Sequence, residues 1–150
     1  MLFQEIEKYA GDSRVNLDVL RQLGIEIDRF DPDWSASETS EEFAKVGTQP
    51  TTWIVDALLG TGASGALRPP IAKAIVAANK LSVKKLAVDL PTGLDCDSGG
   101  ASEPTFRADV TCTMVDEKIG FQNGDARLFT GTVVVVGIGV PMDLESLKTD

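Results

Sequence analysis

The chain has 150 residues, 43% of them hydrophobic, and carries 14 basic against 23 acidic side chains for a formal net charge of −9. That length suits a single domain over residues 1–150 with a sizeable core, and a mean hydropathy of +0.01 excludes both a disordered segment and a bundle of membrane spans. Without a Lys/Arg stripe the acidic balance argues against nucleic acid as a partner, and with no histidine the chain cannot build Ser-His-Asp or Cys-His catalysis or a His zinc site.

The opening MLFQE reads as the tail of a strand. Asp12 then offers an N-cap, and Val15, Val19, Leu20 and Leu23 form an apolar stripe that stops at Gly24, which predicts a helix with a left-handed cap. Ile25 and Ile27 alternate with Glu26 and Asp28, a short strand pattern ended by the turn Asp31-Pro32-Asp33. Residues 35–47 are polar and acidic and read as a surface loop with a short helix near 41–46. Residues 52–59 are apolar and β-branched without alternation, as expected of a strand covered on both faces and lying centrally. Pro69 and Pro70 mark a helix start, and Ile71, Ala74, Ile75 and Ala78 follow the helical repeat. Residues 86–90 make the next buried strand, so this strand, helix and strand predict a parallel crossover. Residues 109–115 and 132–137 give two more strands, and 141–147 begin a short acidic tail or helix. The apolar runs are of strand length and MLFQEIEKYAGDSR has no basic segment before an apolar one, so no membrane attachment and a cytoplasmic location are expected. Cys96 and Cys112 are isolated, which suits a reducing compartment.

Two strands end on an acid that runs into a glycine-containing loop: Asp56 in TWIVDALLGTGASG (52–65) and Asp89 in KLAVDLPTGLD (85–95). Ligands of open α/β sheets bind outside the carboxyl ends of the strands, so these two ends predict one crevice. Gly60, Thr61, Gly62, Ala63, Ser64 and Gly65 satisfy G-x-G-x-x-G formally, but five residues separate the last glycine from the helical repeat, unlike the dinucleotide fingerprint, whose helix starts within the glycines. An ordinary hydride-transferring dehydrogenase is therefore disfavoured against a ligand loop, and glycines that merely turn the chain are the plain alternative. Asp56, with Thr92 supplying a hydroxyl, suits a hard cation, and it suits equally a carboxylate that ties the loop through backbone N–H groups. Asp89, followed by Pro91, is the better candidate for substrate contact. Lys118 and Asp116 follow another strand end and could line the same crevice or simply face water, while Asp95 and Asp97 read as a self-bonded turn.

The ordered set DALLGTGASGALRPP (56–70), AVDLPTGLDCDSG (87–99), ADVTCTMVDEKIGF (108–121) and TGTVVVVGIGVP (130–141), preceded by GDSRVNLDVLRQLGIEI (11–27), resembles the YjeF N-terminal domain family of NAD(P)HX epimerases and apolipoprotein A-I binding protein-like domains. The resemblance implies an α/β fold, a Rossmann-like three-layer αβα sandwich with a mainly parallel sheet, assembled as a homodimer. It implies interconversion of the R and S epimers of hydrated nicotinamide nucleotides (NADHX and NADPHX) with a potassium ion as cofactor. Carried over by motif, Asp56 and Thr92 match potassium ligands, residues 60–66, which include Ala66, match the substrate loop, and Asp89 matches the substrate-binding acid and is the candidate catalytic group. The family's earlier strand and its Asn-Asn-Gly-Gly-Asp loop have no counterpart in residues 1–150. A longer protein, a misplaced start or a partner is expected to supply them, and the alternative is a catalytically incomplete nucleotide- or protein-binding scaffold of the same fold.

Overall fold

The structure, a computed structural model, describes residues 1–3, 6–46, 53–63 and 65–139. The expected tail at 141–147 and the candidate Ser64 lie outside those residues.

Four strands, β1 (Trp53–Asp56), β2 (Lys84–Val88), β3 (Val110–Met114) and β4 (Thr132–Val136), pair in that order, and every pairing is parallel. Helix α3 (Pro69–Lys80) makes the crossover from β1 to β2. Prolines at its first two positions need no N–H partner there, and its repeat buries Ala74, Ile75, Ala77 and Ala78. Ile75 and Ala78 meet Ala87 of β2 and Phe106 in one apolar cluster, while Leu90, Leu94, Phe121 and Ala126 form a second. Asn79 fastens α3 to the segment before β3, donating to the Thr105 carbonyl at 2.8 Å and accepting from the Arg107 amide at 2.9 Å. The parallel sheet with flanking helices follows the parallel crossover that the strand pattern predicts and the α/β, Rossmann-like architecture that the family resemblance implies.

Four expectations are corrected. Residues 52–59 were expected to lie centrally, yet among the described residues β1 is an edge strand, with Trp53 49% and Val55 58% exposed. An unbroken apolar run reports which faces can be covered, not whether a strand has two lateral neighbours. The pattern at 25–30 yields only a single parallel bridge from Arg29 to Leu2, closed by the Leu2 amide on the Asp28 carbonyl and the Phe30 amide on the Leu2 carbonyl. Helix α1 (Gly11–Gln22) forms and gives way to the positive-φ Gly24, but its N-cap is Ala10 rather than Asp12. It buries Leu17 and leaves Val15, Val19, Leu20 and Leu23 exposed, because no described element covers that stripe. Finally, the short helix expected near 41–46 is a full one, α2 (Ala36–Val46). Its start is a capping box: the Ser35 hydroxyl accepts from the Glu38 amide at 3.2 Å, and the Ser35 amide donates to the Glu38 carboxylate at 2.7 Å. That Ser-x-x-Glu spacing was visible in the sequence.

Candidate functional site

The sheet's carboxyl rim is built by two unusual turns. Beyond β2 the Leu90 amide bonds back to the Val88 carbonyl at 2.9 Å with Asp89 at φ 70°, and beyond β3 the Asp116 amide bonds to Met114 at 2.8 Å with Val115 at φ 69°. An i to i+2 bond around a positive φ is the strained γ-turn, tolerable for aspartate and costly for a β-branched valine. The turn aims Asp89 toward the end of β3, where its carboxylate accepts from Lys118 Nζ at 2.7 Å, the Met114 amide at 3.2 Å and the Thr113 hydroxyl at 3.4 Å. Partial burial works to raise the Asp89 pKa, but the Lys118 hydrogen bond, the Met114 amide, the Lys118 charge and the Thr113 hydroxyl together outweigh it and hold the group below its ordinary range. Lys118 is thus a partner of the candidate acid rather than a solvated charge.

Asp56 closes β1 and is 3% exposed. One carboxylate oxygen accepts from the Thr92 amide at 2.7 Å, and the other from the Thr92 hydroxyl at 2.8 Å and the Leu58 amide at 3.3 Å. Burial pushes its pKa up, and the two Thr92 donors and the Leu58 amide offset that only in part. Asp56 and Thr92, paired in the sequence reading, are therefore in direct contact. This arrangement is a loop tie, and its hard oxygen atoms also fit a cation.

A cavity of about 450 Å³ opens outside the ends of β1 and β2. Gly60, Gly62, Ala63, Gly65 and Ala66 line it on one side and Pro91, Thr92, Gly93 and Asp95 on the other, with Arg68 and Ser102 also at its wall. Thr61 is not among its lining residues, its carbonyl instead lying 3.9 Å from Cys96 Sγ. The Ser102 hydroxyl donates to the Gly65 carbonyl at 3.1 Å and ties the two sides together. Gly93 has φ 97°, and a Cβ there would stand 2.8 Å from Thr105 Oγ1 and 2.9 Å from the Pro104 carbonyl, so this wall admits only glycine. Asp95 accepts from the Ser98 amide and hydroxyl, both at 2.7 Å, and from the Asp97 amide at 3.2 Å, the self-bonded turn expected from sequence. Neither Asp56 nor Asp89 lines this cavity: Asp56 faces a smaller one of about 270 Å³ beside the β1 edge, and Asp89 faces β3. The structure therefore brings Gly60, Gly62, Ala63, Gly65, Ala66 and Thr92 to one cavity and leaves both carboxylates outside its lining, at the carboxyl ends of β1 and β2 on the same rim.

Among the described residues no helix is long and apolar enough to cross a membrane, and no group of three or more acidic or cysteine side chains could hold a metal. Both cysteines are free thiols.

A protein from Pirellula staleyi named NAD(P)H-hydrate epimerase is 45% identical over 137 residues, covering 91% of this chain and 58% of that protein. One of the same name from Rhodopirellula baltica is 40% identical over 89% of this chain and 51% of its own length. A bifunctional NAD(P)H-hydrate repair enzyme Nnr from Salinibacter ruber is 35% identical over 90% of the chain and 25% of its length. The chain thus spans about half the length of the two epimerases. The crystal structure of yeast ynu0, YNL200c, superposes with a TM-score of 0.67 at 20% identity, over 95% of this chain and 58% of that one, a likeness of fold. The family described as YjeF-related protein N-terminus matches residues 1–120, four-fifths of the sequence, and the chain belongs to it.

Proposed function

We propose that the chain is an NAD(P)H-hydrate epimerase domain that takes the R and S epimers of hydrated NADH or NADPH into the cavity beyond β1 and β2. The observation that carries this is the cavity's position and lining: a glycine loop at the carboxyl ends of two adjacent parallel strands, in a chain 45% identical to a protein named for that activity. Among the described residues the amides of Gly60, Gly62, Gly65 and Gly93 donate no hydrogen bond within the protein, which leaves them to a ligand's oxygen atoms. Epimerisation at the hydrated carbon requires loss and return of hydroxide, or opening and closing of the ring, and a carboxylate with a water can serve both without histidine. Asp89, kept ionised beside Lys118, is the group assigned to that role, reached by a substrate that extends along the rim from the cavity.

Potassium belongs to the same proposal. Asp56 is a buried carboxylate whose ionisation is hindered and which has no cationic partner among the described residues, and its oxygens with the Thr92 hydroxyl are the hard donors such an ion takes. Bound there, potassium would neutralise Asp56 and orient nearby oxygen atoms. A homodimer in the cytoplasm completes the reading, with sedimentation as the check on assembly.

The test is to follow the R epimer of hydrated NADH in potassium buffer by chromatography. Acceleration by the wild-type chain, or by that chain extended upstream, together with its loss in Asp89→Asn, is the expected result. If neither form accelerates conversion, the catalytic claim fails. A non-catalytic binding domain then stands, a reading favoured by the one fact that Asp89 is engaged by Lys118 and does not line the cavity.

A further inference from the structure

Arg68 stands between the glycine loop and α3, and nothing so far gives it work. It lines the large cavity, and while its carbonyl accepts from the Ala72 amide at 2.9 Å, its side chain makes no hydrogen bond or ion pair among the described residues. It is the N-cap residue of α3, yet its side chain makes no capping bond. It is also the single cation among the described residues lining that cavity, and the one acid there, Asp95, is already bonded by Ser98 and Asp97. The guanidinium is therefore without a partner among the described residues, in a cavity wall otherwise made of apolar groups, hydroxyls, glycine backbone and the already bonded Asp95.

The geometry points to Arg68 as the phosphate anchor of this cavity. A guanidinium presents parallel N–H donors that match two phosphate oxygens, and the Gly60, Gly62 and Gly93 amides can take the remaining ones. Helix α3 contributes less than a helix start usually does, because Pro69 and Pro70 carry no N–H, so the side chain must supply the charge. In a chain of net charge −9 the general field repels anions, and a local cation is what makes a phosphate ester welcome. The inference rests on the nucleotide reading above and adds to it the residue that distinguishes phosphorylated from unphosphorylated ligands.

Titration calorimetry of the purified chain with ADP, 2′-AMP and adenosine tests it, comparing wild type with Arg68→Ala and Arg68→Lys. Arg68→Ala should weaken ADP about 10- to 100-fold and leave adenosine unchanged, with Arg68→Lys between them because an ammonium keeps the charge and loses the fork. A loss confined to ADP places Arg68 on the diphosphate, and a loss on 2′-AMP places it on the ribose phosphate. Equal ADP affinity in wild type and Arg68→Ala, an equal loss for adenosine, or no binding of ADP or 2′-AMP by wild type overturns the anchor. The Arg68 side chain is exposed and makes no hydrogen bond or ion pair among the described residues, so thermal melts should coincide, and if the alanine variant unfolds the lysine variant decides. Arg68-dependent ADP binding without epimerisation of hydrated NADH would sink the epimerase reading and keep the anchor, whereas epimerisation with an unchanged KM in Arg68→Ala would do the reverse.

Discussion

Replacing Thr92 with valine isolates the hydroxyl on which the buried Asp56 depends. Thr92 is 1% exposed, valine fills nearly its volume, and the backbone donor to Asp56 at 2.7 Å survives while the hydroxyl donor at 2.8 Å is lost. A hydrogen bond to a charged group contributes about 1.5–3 kcal/mol, so a loss of about 2 kcal/mol is expected at pH 7, roughly 30-fold in the folding equilibrium. In a domain of this size that is a fall in Tm of about 4–8 °C. The sign of the pH dependence follows from Asp56's raised pKa. An acid whose folded pKa lies above its unfolded value weakens the fold once pH exceeds both, and stops doing so as pH falls through the folded pKa and the group protonates. Loss of the hydroxyl lets that pKa climb further, so the variant's deficit is full at neutral pH and shrinks on acidification. Urea unfolding followed by circular dichroism between pH 7 and pH 4.5 measures it. Coincident midpoints at pH 7, or a deficit that stays constant as pH falls, would refute the reasoning.

Gly93→Ala should cost about 2–4 kcal/mol, since the positive φ and the overlap with Thr105 and the Pro104 carbonyl act together, and a melt at the wild-type temperature would show that this wall can yield. Lys118→Met removes the ammonium 2.7 Å from Asp89 and should raise the Asp89 pKa, a change readable by NMR titration of its side-chain carboxyl. Because Asp89's pKa is depressed in the folded state, its contribution to stability is present above the unfolded pKa and lost as pH falls through the folded one. The methionine variant should therefore be weaker than wild type at neutral pH and match it once Asp89 is protonated in both, and a carboxyl titration that does not move would count against the pair.

Local signals in this sequence carried as far as periodicity and spacing reach. The proline pair and apolar repeat of α3, the strands after Lys84, Asp109 and Gly131, and the strand-end acids are legible because each depends on residues close in the chain. The contact between Asp56 and Thr92 spans 36 positions, and the sequence offered it only as one of two equal readings of Asp56, a hard-cation site sharing the Thr92 hydroxyl or a loop tie. What the tertiary structure alone decided was lateral and directional. Nothing local says that β1 has one neighbour in the described sheet, or that the apolar stripe of α1 stays uncovered, because pairing and packing are set by distant segments. Nor could the sequence tell which way Asp89 points: a positive φ and two donors from the end of β3 turn it toward Lys118 and away from the cavity, while Arg68, unremarkable in a linear reading, comes to line it.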